Sequence, residues 1–165
     1  MKIHIIGASG AGKTYLAQAL AKKYDIPCFA LDDLFWDNSV GGYNVRRAPF
    51  ARDAMLADIL RLDDHIIEGV QYSWVGESFA SADRIYLLDP PPLLCHLRII
   101  WRFVKRKLTR TDRGNETFRS LIDLLRWTKK FYLINLPEIK SALEPYSDKV
   151  ITLRTPDDFR RETAK

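Results

Sequence analysis

Eight residues near the start constrain this chain more than anything else in it. Gly7-Ala8-Ser9-Gly10-Ala11-Gly12-Lys13-Thr14 fits the pattern G-x-x-x-x-G-K-[ST] without a mismatch. The β-branched run Lys2-Ile3-His4-Ile5-Ile6 before it reads as a buried strand. After it Leu16, Ala17, Leu20, Ala21 and Tyr24 recur at helical spacing. A strand, a glycine loop and a helix are the setting that a phosphate-binding loop requires. The alternative, a glycine-rich turn that merely joins a strand to a helix, explains neither the lysine nor the threonine.

Each residue type has a physical job. Gly7, Gly10 and Gly12 permit backbone angles that let successive N–H groups turn inward. The helix opens at about Lys13, so its positive dipole end faces the same space. The Lys13 ammonium suits the β- and γ-phosphates of a nucleoside triphosphate, and the Thr14 hydroxyl suits the Mg²⁺ that bridges them. The expected nucleotide-binding set is therefore Gly7 through Thr14, with ATP and Mg²⁺ as cofactors.

The alternation of elements predicts the fold. Strands are expected at 2–6, 28–31, 66–67, 84–88 and 150–153. Helices are expected at about 13–24, 49–62, 77–82, 93–107, 116–134 and 137–143. Such alternation implies a doubly wound α/β fold, a parallel five-stranded sheet covered on both faces, with a helical lid. The 165 residues suit one domain, 1–165, with a lid at about 106–116. No apolar run approaches the ~20 residues of a membrane span. Cys28 and Cys95 form no metal-ligand spacing and read as buried small apolar residues in a reducing cytoplasm.

Ligands of such sheets lie beyond the carboxyl ends of the strands. That rule selects further residues. Glu68 ends strand three, where an acid can hold Mg²⁺ through water. Asp32 and Asp33 end strand two and point different ways from an extended chain. One can face Mg²⁺ while the other accepts a proton from an acceptor hydroxyl; the alternative is that one only caps the following turn. Trp36, Tyr43, Tyr72 and Trp74 cluster in loops near the site, either to sandwich a flat ligand or to pack those loops down. His4, His65 and His96 read as structural.

Charge is uneven. The net charge is +5, yet eleven Lys or Arg and three Asp or Glu lie between Arg98 and Lys130, a local balance of +8. Arg98, Arg102 and Arg106 are four apart, on one helix face; Arg110 and Arg113 follow in the polar stretch 108–115. Such arginines can close over a γ-phosphoryl group and exclude water. The same charge can instead bind nucleic acid or be a solvated face. Arg102, with Arg154 and Pro156 from the loop after strand five, joins the expected nucleotide contacts.

The run from the glycine loop through Leu31-Asp32-Asp33-Leu34-Phe35-Trp36, Ile67-Glu68-Gly69-Val70-Gln71-Tyr72-Ser73-Trp74 and Leu88-Asp89-Pro90-Pro91 resembles the bacterial proteins labelled DNA topology modulation protein, FlaR-related. These are also described as adenylate-kinase-like P-loop proteins, and the resemblance spans about 1–153. It implies a nucleoside- or nucleotide-kinase-like fold with strand order 2-3-1-4-5. Asp33-Leu34-Phe35-Trp36 is also similar to the Asp-x-Phe-Tyr run of uridine and nicotinamide riboside kinases, with Trp36 in place of Tyr. That likeness implies Asp33 as the base and Asp32 nearer the metal.

Two function classes follow. The first is an ATP- and Mg²⁺-dependent kinase of a small hydroxyl or phosphate acceptor. Its catalytic residues would be Lys13, Asp33, Arg106 and Arg110, its metal ligands Thr14, Asp32 and Glu68, and its substrate contacts Asp33, Trp36, Tyr72 and Trp74. The second is a nucleotide-gated regulator or ATPase that binds DNA through Arg98 to Lys130. The absence of a helix-turn-helix or other recognition module favours the kinase.

Overall fold

The computed structural model describes residues 1–37, 45–109 and 117–164. The expected mobile stretch at 108–115, with Arg110 and Arg113, and loop residue Tyr43 therefore lie largely or wholly outside the described residues.

Five strands form one parallel sheet: β1 (Lys2–Gly7), β2 (Cys28–Ala30), β3 (His65–Gly69), β4 (Arg84–Leu88) and β5 (Val150–Leu153), in the order β2-β3-β1-β4-β5. The register sets Ile3 beside Ile66 and Arg84, and Ile6 beside Gly69 and Leu87, so the carboxyl ends of the three central strands come level. The helices are α1 (Lys13–Tyr24), α2 (Leu31–Phe35), α3 (Pro49–Leu60), α4 (Gly76–Ser81), α5 (Pro92–Leu108), α6 (Phe118–Lys130), α7 (Leu136–Leu143) and α8 (Pro156–Ala164).

Ile3, Ile5 and Ile6 of β1, Ile66 and Ile67 of β3, and Ile85, Leu87 and Leu88 of β4 are buried. Leu16, Ala17 and Leu20 of α1, with Cys95 of α5 and Ile139 of α7, complete the core around them. This is the two-sided burial that makes central parallel strands read as continuous apolar runs. β2 is an edge strand, and Cys28 on it is exposed, against the expectation of burial; Cys95 is buried.

Three departures from the sequence reading have local causes. Strand two stops at Ala30, and Asp32 and Asp33 sit in the first turn of α2, a helix and not an extended chain. The sixth helix starts at Phe118 because Thr117 caps it: Ser120 N–H donates to Thr117 Oγ1 at 3.1 Å, and Thr117 N–H donates to Ser120 Oγ at 2.9 Å. No loop separates that helix from the next. A π-turn over Phe131–Asn135 joins them, with Leu136 N–H donating to Phe131 O. The ring of Pro137 and its missing N–H disfavour ordinary α-geometry against the carbonyl four residues back, and a wider turn relieves this.

Candidate active site

The glycine loop bends as its residue types allow, for two different reasons. Gly10 (φ 76°) and Gly12 (φ 104°) occupy the left-handed region that side chains disfavour. Gly7 does not; a β-carbon there would lie 2.7 Å from Leu88 O, so the constraint is the neighbouring strand. α1 then starts at Lys13 with no side chain capping its N-terminus and no acid in its first turn. Its first N–H groups remain directed at the space above the sheet, where an anion would satisfy them.

A cavity of about 680 Å³ opens there. Ser9, Gly10, Gly12, Lys13 and Thr14 line its floor, and Asp32, Glu68, Trp36, Tyr72 and Arg102 line its walls. Thr14 Oγ1 donates to Glu68 Oε1 at 2.8 Å, and Glu68 is buried. Lys13 Nζ donates to Ala8 O at 3.0 Å, within the loop itself. Burial lowers the Lys13 pKa below the usual lysine range, while the carboxylates of Glu68 and then Asp32 push it back up. A desolvated ammonium held by one carbonyl and two nearby acids is poised for a stronger anion.

The donor set suits a hard cation. A hydroxyl and two carboxylates lining one cavity match Mg²⁺, which binds through one or two carboxylates and keeps its remaining positions for water and phosphate oxygens. Among the described residues no group of three or more His, Cys, Asp or Glu gathers as a metal cage.

α5 braces the loop. Arg98 Nη1 donates to Gly10 O at 3.3 Å and to Ala11 O at 3.2 Å. Arg98 thus shapes the loop as well as lining the cavity, a role that its i, i+4 spacing with Arg102 did not reveal. Arg98 also borders a second cavity of about 420 Å³, lined by Gly12, Tyr15, Pro156, Phe159, Arg160 and Thr163. The expected contact Pro156 belongs to this second space.

On the far wall, Tyr72 O–H donates to Glu138 Oε2 and accepts from Asn135 Nδ2 at 3.1 Å. The hydrogen bond to Glu138 raises the Tyr72 pKa. Trp127 and Phe131, from α6 and the π-turn, extend this wall.

Several expected residues stand elsewhere. Asp33 is exposed and is not among the residues lining the cavity; the helical turn of α2 gives that place to Asp32. Trp74 packs against the core with the Arg52 guanidinium 4.2 Å from its ring centre, outside both cavities. Arg106, in the last turn of α5, is exposed and lines neither. Arg154 pairs with Asp89 at 3.7 Å, an acid it shares with Lys140 at 3.0 Å. Within the loop itself the Ala8 and Ala11 side chains are buried, which leaves their backbone as the part that a phosphate could meet. Arg110 lies outside the described residues.

Sequence reasoning missed Arg46. It lines the cavity, with its guanidinium 5.6 Å from the Phe35 ring centre, because an antiparallel bridge pairs Arg46 with Trp36. Its neighbour Arg47 is used structurally, donating to Leu34 O at 3.1 Å and Trp36 O at 3.3 Å. Nothing in the pair Arg46-Arg47 tells the two apart; the bridge does.

The fold recurs in solved structures. Shikimate kinase from Acinetobacter baumannii in complex with shikimate is 13% identical, with a TM-score of 0.61 over 99% of this chain and 88% of that one. A gluconokinase from Sinorhizobium meliloti 1021 is 16% identical, with a TM-score of 0.54 over 98% and 88%. Shikimate kinase from Bacteroides thetaiotaomicron is 17% identical, with a TM-score of 0.51 over 99% and 94%. At these identities the likeness is one of fold: a five-stranded parallel P-loop kinase fold. No protein-family model matches the chain. No curated protein matches it either.

Proposed function

We propose that this chain is an ATP- and Mg²⁺-dependent kinase that phosphorylates a small-molecule acceptor. One observation carries the reading. A complete phosphate loop, the Thr14–Glu68 pair and Asp32 share a single cavity large enough for more than a triphosphate tail. The fold likeness to shikimate kinase and gluconokinase supports it.

In this reading the sheet divides the cavity. The loop after β1, with Arg98 and Arg102 from α5, takes the nucleotide phosphates, and the space lined by Pro156 and Phe159 takes the rest of the nucleotide. The walls built after β2 and β3, with Asp32, Trp36, Arg46 and Tyr72, take the acceptor. β2 lies two strands from β1, about 10 Å at the usual spacing, which is room for an acceptor beside a γ-phosphate.

Bound Mg²⁺ would neutralise charge on the β- and γ-phosphates. Thr14 and Glu68 would hold it, with Asp32 beside them. Lys13 leaves Ala8 O for the phosphates and stabilises the charge that develops on the transferred group. For a hydroxyl acceptor, Asp32 is the cavity carboxylate able to receive the proton. A phosphate acceptor needs no base, and Asp32 then only positions it. Arg102 stabilises phosphate charge; Arg106 and Arg110 join only when the segment after α5 closes over the site.

Membership of the DNA topology modulation, FlaR-related family and a cytoplasmic setting belong to this proposal and rest on the sequence motifs. Among the described residues no helix is long and apolar enough to cross a membrane.

The test is an acceptor screen that follows ATP consumption above basal hydrolysis, run beside calorimetry of ATP·Mg²⁺ binding. The wild type should bind the nucleotide and turn over with at least one small hydroxy or phosphorylated acceptor. Lys13→Ala should lose both while keeping its circular dichroism. Equal ATP affinity in the two proteins would refute the role given to Lys13 and, with it, the reading.

A further inference from the structure

α5 is apolar on two sides. Cys95, Ile99 and Phe103 face the core and are buried. On the opposite side Leu93, Leu97, Ile100, Trp101, Val104 and Leu108 are all exposed, Trp101 by 64% and Leu108 by 79%. At 3.6 residues per turn these six fall within an arc of about 100° and run about 22 Å along the helix. Arg98 and Arg102 divide the two apolar sides, and a contiguous exposed apolar stripe on a helix whose other side already serves the core marks a contact surface. The segment that follows, 110–116, reads Arg-Thr-Asp-Arg-Gly-Asn-Glu and contains no apolar side chain to cover the stripe.

We propose that a second copy of the chain covers it, with α5 packing antiparallel against the α5 of its partner in a twofold dimer. Three observations converge on that occupant. The spacing of Leu93, Leu97, Ile100, Val104 and Leu108 alternates fours and threes before its last step, the seam of a helix pair. The six side chains expose roughly 600 Å², at the top of the range for the largest patch on a monomer and near the ~800 Å² that one partner brings to a standard interface. Trp101 lies midway along the length of the stripe, at one edge of its arc with Lys105 Nζ 5.0 Å from its ring centre, and brings the kind of large aromatic side chain that interfaces favour.

Charge selects the orientation. α5 has no acid, and Lys105, Arg106 and Lys107 crowd its last turn. A parallel pair would set these clusters side by side. An antiparallel pair centred between Ile100 and Trp101 separates them by about 16 Å along the axis, beyond the ~8 Å screening length at physiological salt. Each cluster then faces Pro92–Leu97 of its partner, which carries no Lys, Arg, Asp or Glu. The twofold axis makes the contact self-complementary and closed.

Sedimentation velocity of the full chain over a range of concentrations tests the pairing. The wild type should sediment at twice the chain mass. Leu97→Glu combined with Trp101→Glu should raise the dimer dissociation constant by about 100-fold or more. Phe50→Glu, at an exposed apolar position off the stripe, should not, and thermal melts should show every variant folded. Orientation is read by a short bis-maleimide in a Cys28→Ser background. Ile100→Cys should cross-link to itself, whereas Leu108→Cys should not, since the partner's position lies about 22 Å away. A monomer at every concentration, a dimer indifferent to the double substitution, or equal cross-linking at both positions would overturn the proposal. So would a monomeric protein that co-sediments with phosphatidylserine–phosphatidylcholine vesicles through this stripe.

Discussion

Gly10→Ala isolates the coupling between the phosphate loop and α5. The bare pattern leaves position 10 open, so the sequence supports Gly10 only through the backbone freedom of glycine and says nothing of its packing. The structure supplies it. Gly10 has φ 76°, and a β-carbon would lie 2.7 Å from the Cys95 carbonyl oxygen and 3.1 Å from Ile99 Cγ1. The left-handed backbone costs an alanine about 1–2 kcal/mol. The overlap adds about 1–3 kcal/mol, because the struck atom is helix backbone that cannot rotate away. A loss of roughly 2–5 kcal/mol is a large part of a typical total of about 5–15 kcal/mol. At about 2–4 °C per kcal/mol for a chain of this size, Tm should fall by roughly 10 °C. Differential scanning calorimetry reads this directly. Gly76→Ala is the control: it opens α4, with nothing within 4 Å of its added carbon, and should leave Tm unchanged or raise it slightly. ATP·Mg²⁺ affinity should fall only in Gly10→Ala, since relief of the overlap moves the loop. Equal melting temperatures for the two variants would refute the account of Gly10 as a packing residue.

With a hydroxyl acceptor, Asp32→Asn should lower kcat by about 10²–10⁴-fold, and Asp33→Asn should stay near the wild type; steady-state kinetics showing the reverse would restore Asp33 as the base. Arg46→Ala should raise the KM of an anionic acceptor by about 10–100-fold, the scale of one charge-assisted hydrogen bond, and leave the KM for ATP unchanged; a selective rise in the KM for ATP would assign Arg46 to the nucleotide. His4 is buried against Ser78 and Phe79, and burial, with a smaller contribution from His65, lowers its pKa from 6.5 to about 3. The unfolded chain therefore takes up a proton that the folded one refuses, so stability is full above pH 6.5 and falls by up to about 1.4 kcal/mol per unit as pH drops toward 3. Urea titrations at pH 7 and pH 5 should show a smaller difference for His4→Gln than for the wild type, and an unchanged difference would place the acid sensitivity elsewhere.

Much of this protein is determined by its sequence alone. The glycine loop, the buried runs of β1, β3 and β4, and the strand–helix alternation specify the parallel sheet, because each is a local preference that the global fold agrees with. Lys13, Thr14 and Glu68 were legible for the same reason: they sit at fixed offsets from strand ends, and strand ends meet at one edge. What tertiary structure alone decided begins where a residue's role depends on a turn or on another element. Asp32 and Asp33 are adjacent, chemically equal and both exposed, and only the short helix that replaces the end of strand two sets Asp32, and not Asp33, on the cavity wall. Arg46 and Arg47 are separated by a single bridge to Trp36. Arg98 and Arg106 share a helix face, yet Arg98 reaches the loop carbonyls while Arg106 is carried two turns beyond them. These choices rest on contacts between segments far apart in the chain, and no periodicity in the sequence encodes where those segments meet.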